Sequence, residues 1–293
     1  MLQPEAILTR YGDGWLQSGL LGISEEDFNS PVEWSSLEFI KLTAGLTNRN
    51  YLFSLADKKF VLRIAADNSD ELSLDRISEC RIHQHAAKAG LVSPILFHHE
   101  SEDFWLREYI VGEELNQQGL TASVLRSVSA AFDTLHADQS LQNVQQLDLL
   151  SKASAYWRMI DSSDSRVDGE ADFPSLHVQI TELLECAFES PELALCHLDP
   201  TLNNWIKTEN GLQLLDWEYA ALANPLLDYA AFVQGAQLDL PQQEQLLQGL
   251  VYSDQDWQLA QKQMQALSLL WYKAQRLISA EEFKHQCQAL IKY

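Results

Sequence analysis

The spacing of apolar residues changes once along this chain, and that change limits the folds open to it. Between Leu37 and Ile64, three short runs are rich in β-formers: Leu37–Thr43, Asn50–Leu55 and Phe60–Ile64. Gly45 with polar neighbours separates the first two, and Ala56-Asp57-Lys58 the last two, which predicts a three-stranded meander. Leu74, Ile77, Arg81, His85 and Ala89 then recur at helical spacing, with Gly90 placed as a C-cap and Pro94 shortly beyond. Phe104–Ile110 reads as a further strand, closed by Gly112. Beyond it the sequence turns helical. Leu125, Val128, Phe132 and Leu135 form one stripe, Trp257, Ala260, Met264, Leu267, Trp271 and Ala274 a longer one, and Phe283, Cys287 and Leu290 a last short helix. Two short apolar runs, Leu193–Cys196 and Leu212–Leu215, interrupt the helices, each ending near an Asp. The expected class is α+β: a small sheet-rich lobe, residues 1–109, and a larger helical lobe, residues 110–293. A boundary of this kind is where small-molecule sites tend to lie.

Composition narrows the function. The chain's 293 residues, 46% of them hydrophobic, can bury a sizeable core. Twenty Lys and Arg against 42 Asp and Glu leave a formal charge of −22, which repels a phosphate backbone, so no nucleic-acid partner is expected. Most of the acidity falls after Arg107. Residues 1–13 lack a cationic start followed by an apolar stretch, and no window has the length of a membrane span. A cytoplasmic chain with no membrane partner, a monomer or homodimer, is the expectation. Cys80, Cys186, Cys196 and Cys287 show no C-x-x-C spacing, which predicts four reduced and mostly buried thiols.

The stretch from Leu195 to Asn204 carries the chemistry. His197, Asp199 and Asn204 fit H-x-D-x-x-x-x-N, a pattern that chance alone yields far less than once in a chain of this composition, and Asp216 follows at the end of an apolar run. Phosphoryl transfer needs a carboxylate near the acceptor hydroxyl and hard oxygen ligands for Mg²⁺. Asp199 would accept or orient the hydroxyl proton, while Asn204 and Asp216, brought together by a strand-turn-strand, would hold the metal. The competing reading has His197, Asp199 and Asn204 merely satisfying backbone groups in a loop.

With these residues the sequence resembles the aminoglycoside phosphotransferase and choline kinase family, whose two-lobed fold is protein-kinase-like. The resemblance runs from about Leu37 to at least Phe232. Family members carry H-G-D-x-x-x-x-N followed by I-D-W-E or I-D-F-E, against His197-Leu198-Asp199 and Leu215-Asp216-Trp217-Glu218 here. Leu198 for the usual Gly and Pro200 after the Asp are departures. The resemblance implies ATP and Mg²⁺ as cofactors, a catalytic set of Asp199 and His197, and Asn204 and Asp216 as metal ligands.

Upstream segments fit the same family. Gly45, Thr47 and Asn48 lie in a stretch similar to its phosphate-covering turn, "G-L-T-N-x-N-Y", where backbone N–H groups can face phosphate oxygens. Arg63 stands on the strand where kinases carry the phosphate-contacting Lys, as a planar fork in place of a point charge. Its helix partner is expected to be Glu79, with Glu71 the nearby alternative. Leu106–Ile110 looks like the hinge whose backbone meets adenine, which would make Glu108 and Ile110 contacts. His136, in Leu135-His136, reads as structural, and Asp228 in Asn224-Pro225-Leu226-Leu227-Asp228 as a brace of the catalytic loop.

The acceptor is the least constrained feature. Leu214–Ala220 is most similar to thiamine kinases and choline kinases, whose substrates are cationic alcohols, and an acidic lobe would concentrate a cation, unless the acidity only serves solubility. Glu218, Trp271 and Tyr272 are candidate substrate residues. The two aromatics could box a cation, or Trp271 could belong to the Trp257–Ala274 core stripe. Thiamine is the first expectation, with choline or ethanolamine next. A kinase of an aminoglycoside, sugar or amino-alcohol and a non-catalytic pseudokinase are the alternatives. A protein kinase would need an A-P-E-like element and a multi-Gly loop, which the sequence lacks.

Overall fold

The computed structural model describes residues 2–28, 30–42, 48–65, 74–99, 101, 104–138, 140–164 and 173–292. It divides into two compact units. The first holds the described residues up to Glu113 apart from Leu74, together with Ile206–Gln213; the second holds Leu74, Glu114–Trp205 and Leu214–Tyr293. No helix among the described residues is long and apolar enough to cross a membrane.

The first unit is built on an antiparallel five-stranded sheet: β1 (Ile40–Leu42), β2 (Asn48–Leu55), β3 (Lys58–Ala65), β4 (Ile95–His98) and β5 (Phe104–Glu108), in the order β1-β2-β3-β5-β4. The meander read from the sequence is β1 to β3. Strand alternation sends Phe60, Leu62 and Ile64 of β3 to one face, where they join Ile7, Leu8 and Trp15 of helix α1 (Pro4–Gln17) in one core. Val61 and Arg63 point the other way, and Arg63 there meets Glu79 of helix α2 (Arg76–Lys88). Asp75 caps α2 by accepting from Ser78 N, and Gly90, at φ +78°, follows its end. Sequence reading passes over α1 and β4. The signal for α1 is Pro4 in the first turn with Ile7, Leu8, Trp15 and Leu16 on one face. The predicted strand Phe104–Ile110 stops at Glu108. Gly112 comes so close to the Lys207 carbonyl that a Cβ there would lie 2.4 Å from its oxygen.

After the two-residue strand β6 (Glu113–Glu114) come helices α3 (Ala122–Ala137), α4 (Leu149–Asp164) and α5 (Phe173–Glu185). Strand β7 (Ala194–Cys196) follows, then the hairpin β8 (Trp205–Thr208) and β9 (Gly211–Leu214), and β10 (Ala221–Ala223), which pairs antiparallel with β7. Helices α6 (Leu226–Gly235), α7 (Leu240–Leu246), α8 (Asp254–Ala274) and α9 (Ala280–Lys292) complete the chain. Trp157, Ile160, Ile180, Leu270, Phe283 and Cys287 form a core among α4, α5, α8 and α9. A second core joins Cys196 of β7 to Leu227 and Ala230 of α6 and Ala260 of α8.

The α8 stripe is rotated from the one read in the sequence. Its deepest residues are Asp256, Ala260, Gln263, Ala266, Leu269 and Leu270, so Trp257, Leu267 and Trp271 lie on the flank, half-buried. Polar side chains explain the rotation, because two of them terminate other segments: Gln263 Nε2 donates to the carbonyls of Leu183 and Cys186 after α5, and Asp256 accepts from Glu189 N and Ser190 N. All four cysteines are free thiols, with Cys196 and Cys287 buried and Cys186 exposed. Replacing Asp256 by Ala strips two backbone N–H groups of their acceptor. At roughly 1–3 kcal/mol for each donor left unsatisfied, Asp256→Ala should cost about 2–6 kcal/mol, read as a lower midpoint in urea unfolding with an unchanged slope.

Candidate active site

The loop after β7 is shaped by one carboxylate. Asp228, in the first turn of α6 and fully buried, accepts from His197 N (2.9 Å, Oδ2), Leu198 N (2.6 Å, Oδ1) and His136 Nε2 (2.9 Å, Oδ2). The positive end of the α6 dipole adds to this. Asp199 follows directly on the two braced amides. Its backbone N–H points to His197 Nδ1 (3.3 Å), and its carboxylate and carbonyl both accept from Asn204 Nδ2 (3.1 and 2.8 Å). Desolvation, with the Glu218 charge nearby, pushes the Asp199 carboxyl up to about 7, and the Asn204 hydrogen bond opposes part of that rise. A carboxylate poised there can take a hydroxyl proton at neutral pH.

His197 departs from its expected catalytic place. Its ring is fully buried, Nε2 donates to the Leu215 carbonyl (2.8 Å), Nδ1 serves the Asp199 amide, and Trp217 packs edge-on at 4.7 Å. Burial lowers its pKa to about 4. A neutral imidazole with both nitrogens engaged by backbone holds the loop and carries no proton to a reactant, so His197 is a positioning residue. Leu198, where the family pattern has Gly, keeps the left-handed backbone that Gly would supply, at φ +67°. Its side chain packs with Ala223, Leu226 and Leu227, which offsets the conformational cost.

Asn204 and Asp216 stand on either side of one backbone hydrogen bond, Leu215 N to Asn204 O (2.7 Å). Asp216 is also left-handed, at φ +64°. Because Asn204 commits its Nδ2 to Asp199, its Oδ1 remains as a donor atom, and the Asp216 carboxylate supplies further hard oxygens. That donor set fits Mg²⁺. Trp217, buried and packed against His197, donates Nε1 to the Leu214 carbonyl.

Three aromatic residues adjoin these groups. Trp271 Nε1 donates to Tyr219 Oη (3.1 Å), and Tyr156 of α4 is buried close enough to Asp199 and Glu218 to feel both charges. Burial first, then neighbouring negative charge, raises both the Tyr156 and Tyr219 phenols above their ordinary range. Glu218 is buried. Tyr272, by contrast, is 42% exposed, with its ring edge-on to Trp271. One residue along a helix is a turn of about 100°, so the flank that brings Trp271 to Tyr219 carries Tyr272 away to the surface. Tyr156 and Lys152, which lies over the Tyr219 ring, escaped sequence reading because α4 has no motif of its own.

In the first unit Arg63 and Glu79 form a buried ion pair, and Arg76 takes the second carboxylate oxygen of Glu79 at 2.8 Å. Trp105 stacks beneath the Arg63 guanidinium at 5.2 Å. Asn48 is buried at the start of β2. Gly45, Thr47 and Glu71 lie outside the described residues. Glu108 ends β5, with its carbonyl accepting from Arg107 and its side chain paired to Lys58, and Ile110 follows half-buried.

Three substitutions test this account. An Asn at 228 cannot face both the His197 amide and His136 with oxygen while still serving Leu198. Asp228→Asn should therefore lower stability by about 1–3 kcal/mol and turnover by about tenfold or more, measured in parallel by urea unfolding and steady-state kinetics. Leu198→Gly relieves about 1 kcal/mol of left-handed strain but loses roughly 2–5 kcal/mol of packing, so it should destabilise, and Leu198→Ala, which keeps the strain, by at least as much.

Known proteins are similar in sequence or in fold. A Haemophilus influenzae protein, LicA, is 26% identical over 251 residues, spanning 78% of this chain and 70% of LicA. The choline kinase LicA of Streptococcus pneumoniae superposes with a TM-score of 0.74 at 18% identity, over 88% of this chain and 94% of that one. A Plasmodium vivax ethanolamine kinase gives 0.71 at 16% identity, over 97% and 92%. These likenesses show a kinase-like fold. The model of the phosphotransferase enzyme family matches residues 38–262, and the chain is a member of that family.

Proposed function

We propose that this enzyme moves the terminal phosphoryl group of ATP to the hydroxyl of a small cationic alcohol of the choline or ethanolamine type. The observation that carries the reading is the juxtaposition, in one unit, of the poised Asp199 carboxylate with Glu218 and the aromatic side chains of Tyr156, Tyr219 and Trp271. Aromatic faces beside buried carboxylates suit an ammonium group, through cation–π and Coulomb attraction together. In the step itself the acceptor O–H bond breaks, its proton passes to Asp199, the acceptor oxygen bonds to phosphorus, and ADP departs. Arg63, held by Glu79, would be a cation for phosphate oxygens in the first unit. Asn204 and Asp216 would hold Mg²⁺, which supplies neutralisation of charge on the phosphates. His197 and Asp228 keep Asp199 in place.

The names of the similar kinases favour choline and ethanolamine over thiamine, which shares the cationic alcohol chemistry. A screen of ATP consumption against choline, ethanolamine, thiamine, an aminoglycoside and a neutral sugar tests the acceptor. Turnover of a cationic alcohol with a KM that rises with ionic strength is expected, and turnover of the sugar alone would reject the reading.

Two variants test the chemistry. Asp199→Asn should lower kcat by about a hundredfold or more with KM for ATP within a few fold, because only proton acceptance is lost. Asp216→Ala should instead weaken binding of ATP measured calorimetrically with Mg²⁺, and EDTA should weaken wild-type binding in the same way. Equal affinity with and without EDTA would remove Asn204 and Asp216 as metal ligands.

A further inference from the structure

A cation already lies on the acceptor-site aromatics. Lys152 Nζ lies 5.0 Å from the centroid of the Tyr219 ring, within cation–π range. The ring is fixed at its far end by Trp271, whose indole N–H holds the Tyr219 oxygen. Lys152 belongs to the first turn of α4, one turn before Tyr156, so the same helix face brings both residues to the site. Among the described residues no group accepts a hydrogen bond from Nζ or forms an ion pair with it; its interactions are the Tyr219 face and the charge of Glu218. No hydrogen bond or ion pair from the described residues anchors this half-buried ammonium in place. The acceptor reading above places a second cation against the same ring, where two like charges oppose each other.

We propose that Lys152 is a specificity-determining residue of the acceptor site: its ammonium is a tethered occupant of the Tyr219 face, and a cationic acceptor binds there by displacing it. The proposal rests on the acceptor reading above. Displacement makes quaternary and protonated amines bind less tightly than the aromatic walls alone would allow, while a neutral alcohol is not opposed.

Charge at Lys152 is also adjustable. Burial lowers its pKa to about 8, with Glu218 pulling the other way. The titratable groups around it are Glu218 and Tyr219 on the segment after β9, Tyr156 and Asp148 at the same end of α4, and Asp199 beyond the two phenols. A lysine with a lowered pKa is cationic below it and neutral above. Affinity for a permanently charged acceptor should therefore rise between about pH 7 and pH 9. Ionisation of Asp199 contributes a rise of the same sign near neutrality, which a Lys152 variant retains, so comparison with the variant isolates the lysine.

The test is calorimetric titration of choline and of tetramethylammonium into the full chain with Mg²⁺ and a non-hydrolysable ATP analogue, for wild type, Lys152→Met and Lys152→Arg. The Met side chain keeps length and removes charge, so binding of both probes should tighten by about tenfold, and the wild-type gain between about pH 7 and pH 9 should shrink in this variant. Arg keeps the charge and should stay near wild type. Unchanged, weaker or absent binding in Lys152→Met overturns the proposal, as does a pH response equal to that of wild type. Turnover is read separately. Choline bound tightly by Lys152→Met yet never phosphorylated would leave the lysine's role standing and reject the proposed acceptor.

Discussion

The buried carboxylate of Asp228 is the constraint on which the catalytic loop depends. A desolvated negative charge is costly unless its oxygens are filled, and here a histidine and two consecutive backbone amides fill them, 92, 31 and 30 residues away in sequence. Because the two amides are neighbours, the carboxylate fixes the path of the chain there as well as its position. That path leads to Asp199. The same step aims the His197 ring at the Leu215 carbonyl, and Leu215 in turn donates to Asn204. One charge thus orders Asp199 and, through two further hydrogen bonds, both oxygen donors suited to a metal. Its field also reaches Cys196, whose thiol is raised by burial and by Asp228 and is chemically inert as a result.

The first unit solves the opposite problem with an excess of cations. Two guanidinium groups share the single Glu79 carboxylate, and Trp105 supplies a π-face to the inner one. Both Arg63 and Glu79 are almost fully buried, and Arg76 holds the second oxygen of Glu79. A lysine at position 63 would offer a point charge without the planar fork that meets carboxylate and ring together.

How much of this was legible in the sequence follows the distance over which each feature is specified. Asp199, Asn204 and Asp216 lie within one local pattern, and the chemistry they can perform is written in their types and spacing. His136 and Asp228 were readable as structural, because short motifs carry them. The position of His197 was not, since a histidine two residues before an Asp looks the same in sequence whether its nitrogens meet reactants or carbonyls. The aromatic wall was half legible. Trp271 stood out, but its phase on α8 was set by Asp256 and Gln263, polar residues that an apolar stripe ignores. Tyr272, read as lying off that stripe, is exposed beside Trp271. Lys152 and Tyr156 come from a helix whose pattern speaks only of its core, and their meeting with Tyr219 is a product of tertiary packing.

Strain marks the two ends of this arrangement. Leu198 and Asp216 both hold left-handed backbone that side chains with a Cβ disfavour, by about 1–2 kcal/mol each. Neither is relieved by a local turn. Leu198 is held by its amide on Asp228 and its side chain in the core, Asp216 by hydrogen bonds of its neighbours, Leu215 on one side and Trp217 on the other. A relaxed chain at either point would turn the following segment elsewhere. With a Gly at 198 the loop could adopt other conformations when its braces loosen. With Leu, loss of the Asp228 contact removes the reason for the strained state, so the loop's geometry and the integrity of that one carboxylate become a single cooperative property.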